Sequence, residues 1–559
     1  MRQALIVGVV ALVVPLASPA MGQENECRAV AIVLEEASMT DLLAVPELRS
    51  LAVAGGAALM NGRNDVYRTF GIFDTPQADP THLPGLCIGF IEPFAEPADA
   101  ARDLVDGQLH LSDDALLMVV STSPSSASAA DGDELGAVIA AWGDPEELLN
   151  ARGEPHALTS DSTRRPGVVA DVDPAATVAD WLDLPYDAGA PIERTGEPAP
   201  LDLYERYLQQ RRLAVPAATV SWGVMLLVGL AGVVALAIRH RVPPGVLGAV
   251  GALTTALPWL AIGLLLVGHL SSLTTATAIP FLVVFVGAGV ACTGWVTSRR
   301  GIFVALAATG GAILVLLAIE AALGWPAAVT PLAGGGQLDG GRFFGMPNIE
   351  IGVVLGSALF VAHRIRVGMG FLLLAVCALV AGSPWTGANF GAAIALFAAA
   401  GLWLAIRRRR SWWLVVLITG AITAAGTALV ALMHRYLVDR PTHVTAFLEG
   451  TDGILGAVDR QIERLRVGLD LIADNPLAVI PVIGTLVMLV VVRRPPAAIA
   501  ESFEGHDAWR DALLVILLAS IVAYLAEDTG AAAVGFAFGF ALSGLIGVSL
   551  AAARGKMSP

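Results

Sequence analysis

Hydrophobic residues recur in long runs along the second part of the chain, from Ala214 onward. A helix of about 20 apolar residues crosses the hydrocarbon core of a bilayer, because each residue adds about 1.5 Å. The pattern predicts about eleven membrane helices, at 214–238, 245–269, 277–297, 301–323, 349–363, 367–383, 386–406, 411–432, 476–492, 511–526 and 529–553.

Arginine clusters predict the orientation of these helices. They follow every odd-numbered segment, as 239–241, 299–300, 363–366, 407–410, 493–494 and 554–556. Short basic loops stay in the cytoplasm. We therefore predict a multi-pass protein of the plasma membrane, with residues 23–213 outside the cytoplasm and the C-terminus inside. Arg211, Arg212 and Arg435 oppose this orientation and are outnumbered.

Before Ala214 the pattern changes to short apolar strands that alternate with helical stretches. "AVAIVLEE" and "ALLMVVSTSP" read as buried strands, and "PELRSLAVAGGAALM" reads as a helix interrupted by glycines. Alternating strands and helices are typical of a parallel α/β domain. We predict an extracytoplasmic α/β domain at 23–213, followed by an all-α polytopic membrane bundle at 214–559.

The first 22 residues have the features of a secretory signal peptide. Arg2 supplies the positive end, "ALIVGVVALVVPLA" the apolar core, and small residues near Ala20 the cleavage site. The alternative is an uncleaved N-terminal anchor.

Composition and charge support this division. The chain is 55% hydrophobic and 15% charged, which is typical of a polytopic membrane protein. Residues 23–213 hold 33 acidic residues, 12 arginines and no lysine, so this region offers no face for nucleic acid. Cys27 and Cys87 are expected to be able to form a disulfide there, while the chain has no Cys/His spacing of the metal-binding kind.

Two predicted outer loops are unusual. "GGGQLDGGRFFGMPNIEIG", 334–352, is rich in glycine. Loop 433–475 has apolar residues at helical spacing, which predicts an amphipathic helix. It either covers the bundle as a lid or packs on its surface as a connector. Its apolar positions are Leu455, Val458, Ile462, Leu465, Leu469 and Ile472.

Polar residues collect where the predicted helices meet the outer face, and we call this set the polar lip. Each member taken singly fits a helix cap, since Asn and Asp are favoured there. Glycines around them and the cost of placing charge at membrane depth favour a binding site instead. The lip consists of Arg342, Asn348, Glu350, Asn389, Glu527, Asp528, Glu320 and His434.

The lip suits an anionic headgroup such as a lipid-linked phosphate. Arg342 carries a guanidinium that binds phosphate or carboxylate through paired hydrogen bonds. Glu350, Glu527 and Asp528 have three alternative roles: holding a divalent cation, pairing with Arg342, or acting as a general base. The sequence does not choose among them.

Two phrases of the α/β region resemble the alkaline-phosphatase superfamily. "LEEASMTDL" with the following helix resembles the start of such domains, and "LTSDSTRRPGVVADVDPAATVADWLDLP", 158–185, resembles their end. The combination with "RFFGMPNIEIG", "GANFGAA" and "EDTGAAAVGFAFG" is similar to a bacterial, largely actinobacterial, family of polytopic membrane proteins whose function is not established. The resemblance implies a truncated phosphatase-like fold.

The departures from that superfamily predict a pseudo-enzyme. Glu35 and Glu36 stand where an aspartate is expected, and "VVSTSPSS" replaces an Asp-His-Gly phrase. The histidines of this region, His82, His110 and His156, lack the spacing of a two-metal site.

Three functions remain after these exclusions. The first is glycosyl or phosphoryl transfer on a lipid-linked or other anionic envelope precursor. The second is a transporter or lipid flippase, for which polar groups must continue inward from the lip. The third is a non-catalytic scaffold whose acidic domain docks envelope proteins. The sequence leaves open whether the chain is an enzyme.

Overall fold

The protein has an N-terminal α/β region followed by a region of apolar helices, as predicted. The computed structural model describes residues 27–61, 86–90, 97–98, 101, 111–123, 135–163, 165–170, 173–184, 189–332, 336–338, 344–438, 462, 466, 479–527 and 530–555. The predicted signal peptide, Arg342 and Asp528 lie outside these ranges, as does most of the predicted amphipathic helix.

One mixed sheet forms the centre of the α/β region. Its strands are β1 (Cys27–Glu36), β2 (Gly56–Asn61), β3 (Leu86–Phe90), β4 (Leu111–Ser123), β5 (Gly136–Gly143), β6 (His156–Ser160), β7 (Val168–Ala170) and β8 (Ile192–Pro198). They are ordered β3-β1-β4-β5-β2-β6-β8, and β7 pairs with β2. Because β5 runs antiparallel to both of its neighbours, and β8 antiparallel to β6, the parallel arrangement that the sequence indicated holds only for the other strand pairs.

Both faces of this sheet are buried, which explains its near-continuous apolar strands. In β1, Val30 and Ile32 face one layer of helices while Ala29 and Ala31 face the other. The first layer contains α1 (Met39–Ala44) and α2 (Pro46–Ala54), and the second contains α4 (Asp173–Trp181). The short helix α3 (Pro145–Leu149) follows β5.

Cys27 begins β1 and Cys87 lies in the neighbouring strand β3. The side chains of both cysteines lie outside the described part of the structure, so the expected disulfide between them stays a prediction.

The helical region follows the predicted hydrophobic runs. Its helices are α5 (Leu201–Ala237), α6 (Pro244–Thr254), α7 (Ala256–Leu266), α8 (Thr275–Arg300), α9 (Ile302–Ala322), α10 (Glu350–Ala362), α11 (Val367–Gly382), α12 (Phe390–Arg407), α13 (Trp412–Tyr436), α14 (Val479–Arg493), α15 (Ala497–Ala500), α16 (Asp507–Ala526) and α17 (Gly530–Ala553). In the described ranges, eight stretches are long and apolar enough to cross a membrane, with α6 and α7 forming one of them. This confirms a multi-pass membrane protein.

Three further apolar helices, α10, α11 and α14, occupy the other predicted segments. They contain 13, 16 and 15 residues, fewer than the roughly 20 of a full crossing. The count of eleven crossings and the orientation of the bundle therefore stay predictions.

Small residues let the central helices approach closely. A Cβ on Gly352 of α10 would lie 2.2 Å from the carbonyl oxygen of Ala533 of α17, and one on Gly356 would lie 2.3 Å from Phe540. Close backbone approach of this kind is typical of helix pairs in membranes. By contrast, α8 and α13 are buried over only 11% of their apolar windows, so most of their apolar side chains lie on the surface of the bundle.

The glycine-rich loop attaches the α/β region to the bundle. Leu338 of this loop and the preceding Val329 belong to the apolar cluster of the α/β region, together with Tyr207 of α5. The guanidinium of Arg165 donates to Gln337 Oε1 at 2.6 Å. Gln337 in turn donates to the carbonyl of Gly345 at 2.8 Å. The loop thereby connects the sheet with the start of α10.

Candidate functional site

Glu320 lies in the last turn of α9, where its side chain is buried. One carboxylate oxygen is hydrogen-bonded to Nε2 of His269, and the other accepts from the backbone N–H of Ala327 at 3.1 Å. His269 follows α7 and was missed by the sequence analysis. A lone histidine at the outer end of an apolar segment was the available signal.

Glu350 is the first residue of α10, and its side chain is completely buried. Neither of its carboxylate oxygens has a hydrogen-bond partner in the described part of the chain. Glu320 is close enough for the two carboxyl groups to repel each other when ionised. An unpartnered buried carboxyl group costs free energy, so the fold tolerates Glu350 rather than depending on it.

Asn389 both caps a helix and joins two loops. Its Oδ1 accepts from the backbone N–H of Ala392 at 2.8 Å, which is an N-cap of α12. Its Nδ2 donates to the carbonyl of Met346 at 3.1 Å and to Oδ1 of Asn348 at 3.1 Å. The cap interpretation is confirmed for Asn389, and the same side chain also holds the glycine-rich loop against α12.

Backbone contacts reinforce this junction. The N–H of Met346 donates to the carbonyl of Gly387 at 2.7 Å. Gly345 has a φ of 94°, and a Cβ there would lie 2.0 Å from the oxygen of Gly387. Only glycine fits that position, because it needs both a positive φ and close approach of the two chains. The close contact between the glycine-rich loop and the loop before α12 thus explains why a glycine stands at position 345.

Glu527 ends α16 and is buried against α12. A Cβ on Gly391 would lie 2.0 Å from Oε1 of Glu527, so the carboxyl group rests on the first turn of α12. The partial positive charge at a helix N-terminus favours a carboxylate in this place. Gly391 makes room for it.

His434 lies at the end of α13, next to the neighbouring helix end. Its side chain is buried, and Nε2 is within hydrogen-bond distance of the carbonyl of Gly382 at 2.9 Å. This contact ties α13 to the last turn of α11, which is a structural role.

The structure brings together five predicted lip residues, in two groups that share the start of α10. Glu320 neighbours Glu350, and Asn348 is bonded to Asn389, which stands two residues before the glycine that Glu527 contacts. Within the described ranges, no cluster of three His, Cys, Asp or Glu side chains has metal-binding geometry. What the described residues offer is an acidic, amide-lined site for a proton, a hydroxyl group or a cation.

The α/β region has its own buried carboxyl group, Asp173 at the start of α4. Ser160 and Ser162 donate to it, as do the backbone N–H groups of Ala170 and Ala190. Burial raises the pKa of Asp173 above its usual value, although these hydrogen bonds oppose the rise. Four donors from three segments make Asp173 a structural junction of the strand-to-helix turn.

Known proteins add no assignment to this geometry. Comparison of the chain with protein-family models, with curated proteins and with solved structures gives no match.

Proposed function

We propose that the protein transfers a glycosyl or phosphoryl group from a lipid-linked, anionic envelope precursor at the polar lip, on the extracytoplasmic side of the plasma membrane. The observation that carries this proposal is the buried carboxyl group of Glu350, which has no hydrogen-bond partner among the described residues and lies two residues after Asn348, the partner of Asn389. Ionisable groups are costly within a membrane protein, and those that persist are usually functional.

In this proposal Glu350 acts as the general base. The hydroxyl group of the acceptor gives its proton to the Glu350 carboxylate as its oxygen attacks the sugar carbon or the phosphorus. In glycosyl transfer, the bond between the sugar carbon and the lipid-phosphate oxygen breaks, and the lipid phosphate leaves with that electron pair. In phosphoryl transfer from a lipid diphosphate, the bond between the distal phosphorus and the bridging oxygen breaks, and the lipid monophosphate leaves with that electron pair. A positioned general base contributes about 10²- to 10⁴-fold to such a step.

The remaining lip residues orient the reactants. Asn348 is half-buried, and its Oδ1 accepts from Asn389. Arg342, which stands six residues before Asn348 in the glycine-rich loop, is proposed to bind the phosphate of the donor. A divalent cation bridging that phosphate to Glu527 or Asp528 is part of the same proposal.

The test uses Glu350→Gln, which keeps the shape of the side chain and removes its basicity. The full chain in proteoliposomes receives radiolabelled lipid-linked sugar phosphates and diphosphates together with hydroxyl acceptors. We expect transfer by the wild type and a loss of about 10²- to 10⁴-fold in the variant. Glu501→Gln is the matched control, because Glu501 is an exposed glutamate paired with Arg239. Equal transfer by Glu350→Gln and wild type would refute the proposed base.

One observation favours transport as a second candidate. Buried polar side chains continue below the lip, among them Ser357 of α10, Ser520 of α16 and Ser543 of α17. Ser357 lies two turns after Glu350 on the same helical face, and its hydroxyl group has no described partner. A proton-coupled carrier would lower the pH of the proteoliposome lumen when substrate is added. Glu350→Gln would abolish this pH change. Label transfer without any proton flux excludes this candidate.

A further inference from the structure

A cavity of about 640 Å³ lies at the opposite end of the bundle from Glu350. It is enclosed by α6, the end of α8, the start of α9 and the end of α17. Ile302, which lines it, and Glu320 are separated by 18 residues of one helix, or about 27 Å. The cavity and the lip are thus nearly one bilayer thickness apart.

Two arginines line this cavity, and no acidic residue does. The guanidinium of Arg554 rests on α6, where a Cβ on Gly248 would lie 2.6 Å from Nη1. Its buried Nε has no hydrogen-bond partner in the part of the chain that the structure describes. Arg299 is exposed at the end of α8 and forms no ion pair with any residue that the structure describes. Among the described residues, these two cationic groups of the cavity have no acidic partner.

Two helix N-termini add backbone donors to the same cavity. The first N–H groups of a helix lack partners within the helix. Gly301 precedes α9 with a φ of 86° and has no side chain to cap these groups. Gly245 is the second residue of α6, which Pro243 precedes without a side-chain cap. Uncapped N-termini beside unpaired guanidinium groups form an environment that favours an anion.

We propose that this cavity binds a phosphate group, either the phosphodiester of an anionic phospholipid headgroup or free phosphate. The two guanidinium groups and the N–H groups of α9 would supply charge-assisted hydrogen bonds to its oxygens. Leu247, Ile302 and Leu550 form apolar walls that fit the glycerol and first acyl carbons of a lipid. Basic pockets between membrane helices bind lipid headgroups by this chemistry.

The experiment measures binding to the full chain reconstituted in neutral phosphatidylcholine nanodiscs. One arm adds inorganic phosphate, and the other adds fluorescent phosphatidylglycerol to the nanodisc lipid. Arg299→Gln with Arg554→Gln removes the charges and is expected to weaken binding by at least about tenfold, since each charge-assisted hydrogen bond contributes about a factor of ten. Arg300→Gln is the control, because Arg300 is exposed beside Arg299 but does not line the cavity.

A second variant keeps both arginines and fills the space. A Cβ on Gly294, which lines the cavity, meets no atom within 4 Å, so Gly294→Leu is expected to fold and to block binding. Gly287→Leu on the same helix is the matched control, since its Cβ is equally free and lies outside the lining.

Each outcome decides the proposal. Binding of the lipid, of inorganic phosphate or of both, lost in the double arginine variant and in Gly294→Leu but kept in both controls, supports the phosphate site and identifies the source. Binding of neither probe by the wild type, or unchanged binding by Gly294→Leu or by the arginine pair variant, overturns it. The arginines would then serve only to complement the C-terminal ends of α8 and α17.

Discussion

The two ends of the helical bundle, marked by the two ends of α9, differ in the partners of their acidic residues. Near the Ile302 end of the bundle, acids pair with arginines, as in Arg239–Glu501, Arg407–Asp511 and Arg409–Asp507. At the Glu320 end, the described partners of Glu320 are a histidine and a backbone N–H, and Glu350 has none. Ion pairing at one end serves the structure. At the other end, the buried carboxyl group of Glu350 lacks a hydrogen-bond partner among the described residues, and we propose that it is retained for function.

The largest expected effect on stability comes from breaking the buried Arg407–Asp511 ion pair, at the end of the bundle near Ile302. The side chain of Asp511 is only 5% exposed, and Arg407 donates to it at 3.0 Å. Asp511→Ala leaves Arg407 largely buried without a counter-charge, so we expect a loss of about 3 kcal/mol in unfolding free energy. Thermal unfolding of the purified protein measures this effect.

Asp507→Ala is the matched control for that variant. It removes the Arg409–Asp507 pair one turn earlier on the same helix, where both side chains are more than 60% exposed. Exposed pairs contribute about 0–1 kcal/mol. Equal destabilisation by the two variants would show that burial does not distinguish the pairs at this end.

A smaller effect separates the two roles of Asn389 at the lip. Asn389→Asp keeps the oxygen that caps α12 and replaces the amide that donates to Met346 and Asn348. We expect a loss of about 1–3 kcal/mol in unfolding free energy, because the buried carbonyl of Met346 and the half-buried Oδ1 of Asn348 both lose the hydrogen bond from Asn389. Thermal unfolding is again the measurement. A variant as stable as the wild type would reduce Asn389 to a helix cap.

The smallest expected effect is the pH dependence of stability that His506 causes at the same end of the bundle. Partial burial, followed by the charge of Arg364, lowers the pKa of His506 below its ordinary value. Its neutral form is therefore favoured in the folded state, and this contribution to stability is present above the ordinary histidine pKa and is lost as the pH falls below it. When the pH is lowered from 7.5 to 5.5, the unfolding temperature of His506→Gln should fall by less than that of the wild type. An equal fall in the unfolding temperature of the two proteins would contradict this effect of His506.

The sequence predicted the membrane helices well because apolar runs of this length have few alternatives. It also identified Asn389 as a cap, since that preference is local. It missed the antiparallel placement of β5 and the pairing of His269 with Glu320, because both depend on contacts between distant segments. It also gave no sign of the cavity around Arg554, where four helix ends meet.

The central claim is that Glu350 is retained for function at a cost to the fold. Glu350→Met tests it most directly, by comparing the unfolding temperature of this variant with that of the wild type. Removing a buried carboxyl group that lacks a partner should raise the unfolding free energy by about 1–3 kcal/mol, opposite in sign to the effect of Asp511→Ala. A lower unfolding temperature in Glu350→Met would show that the carboxyl group stabilises the bundle, and would contradict the account.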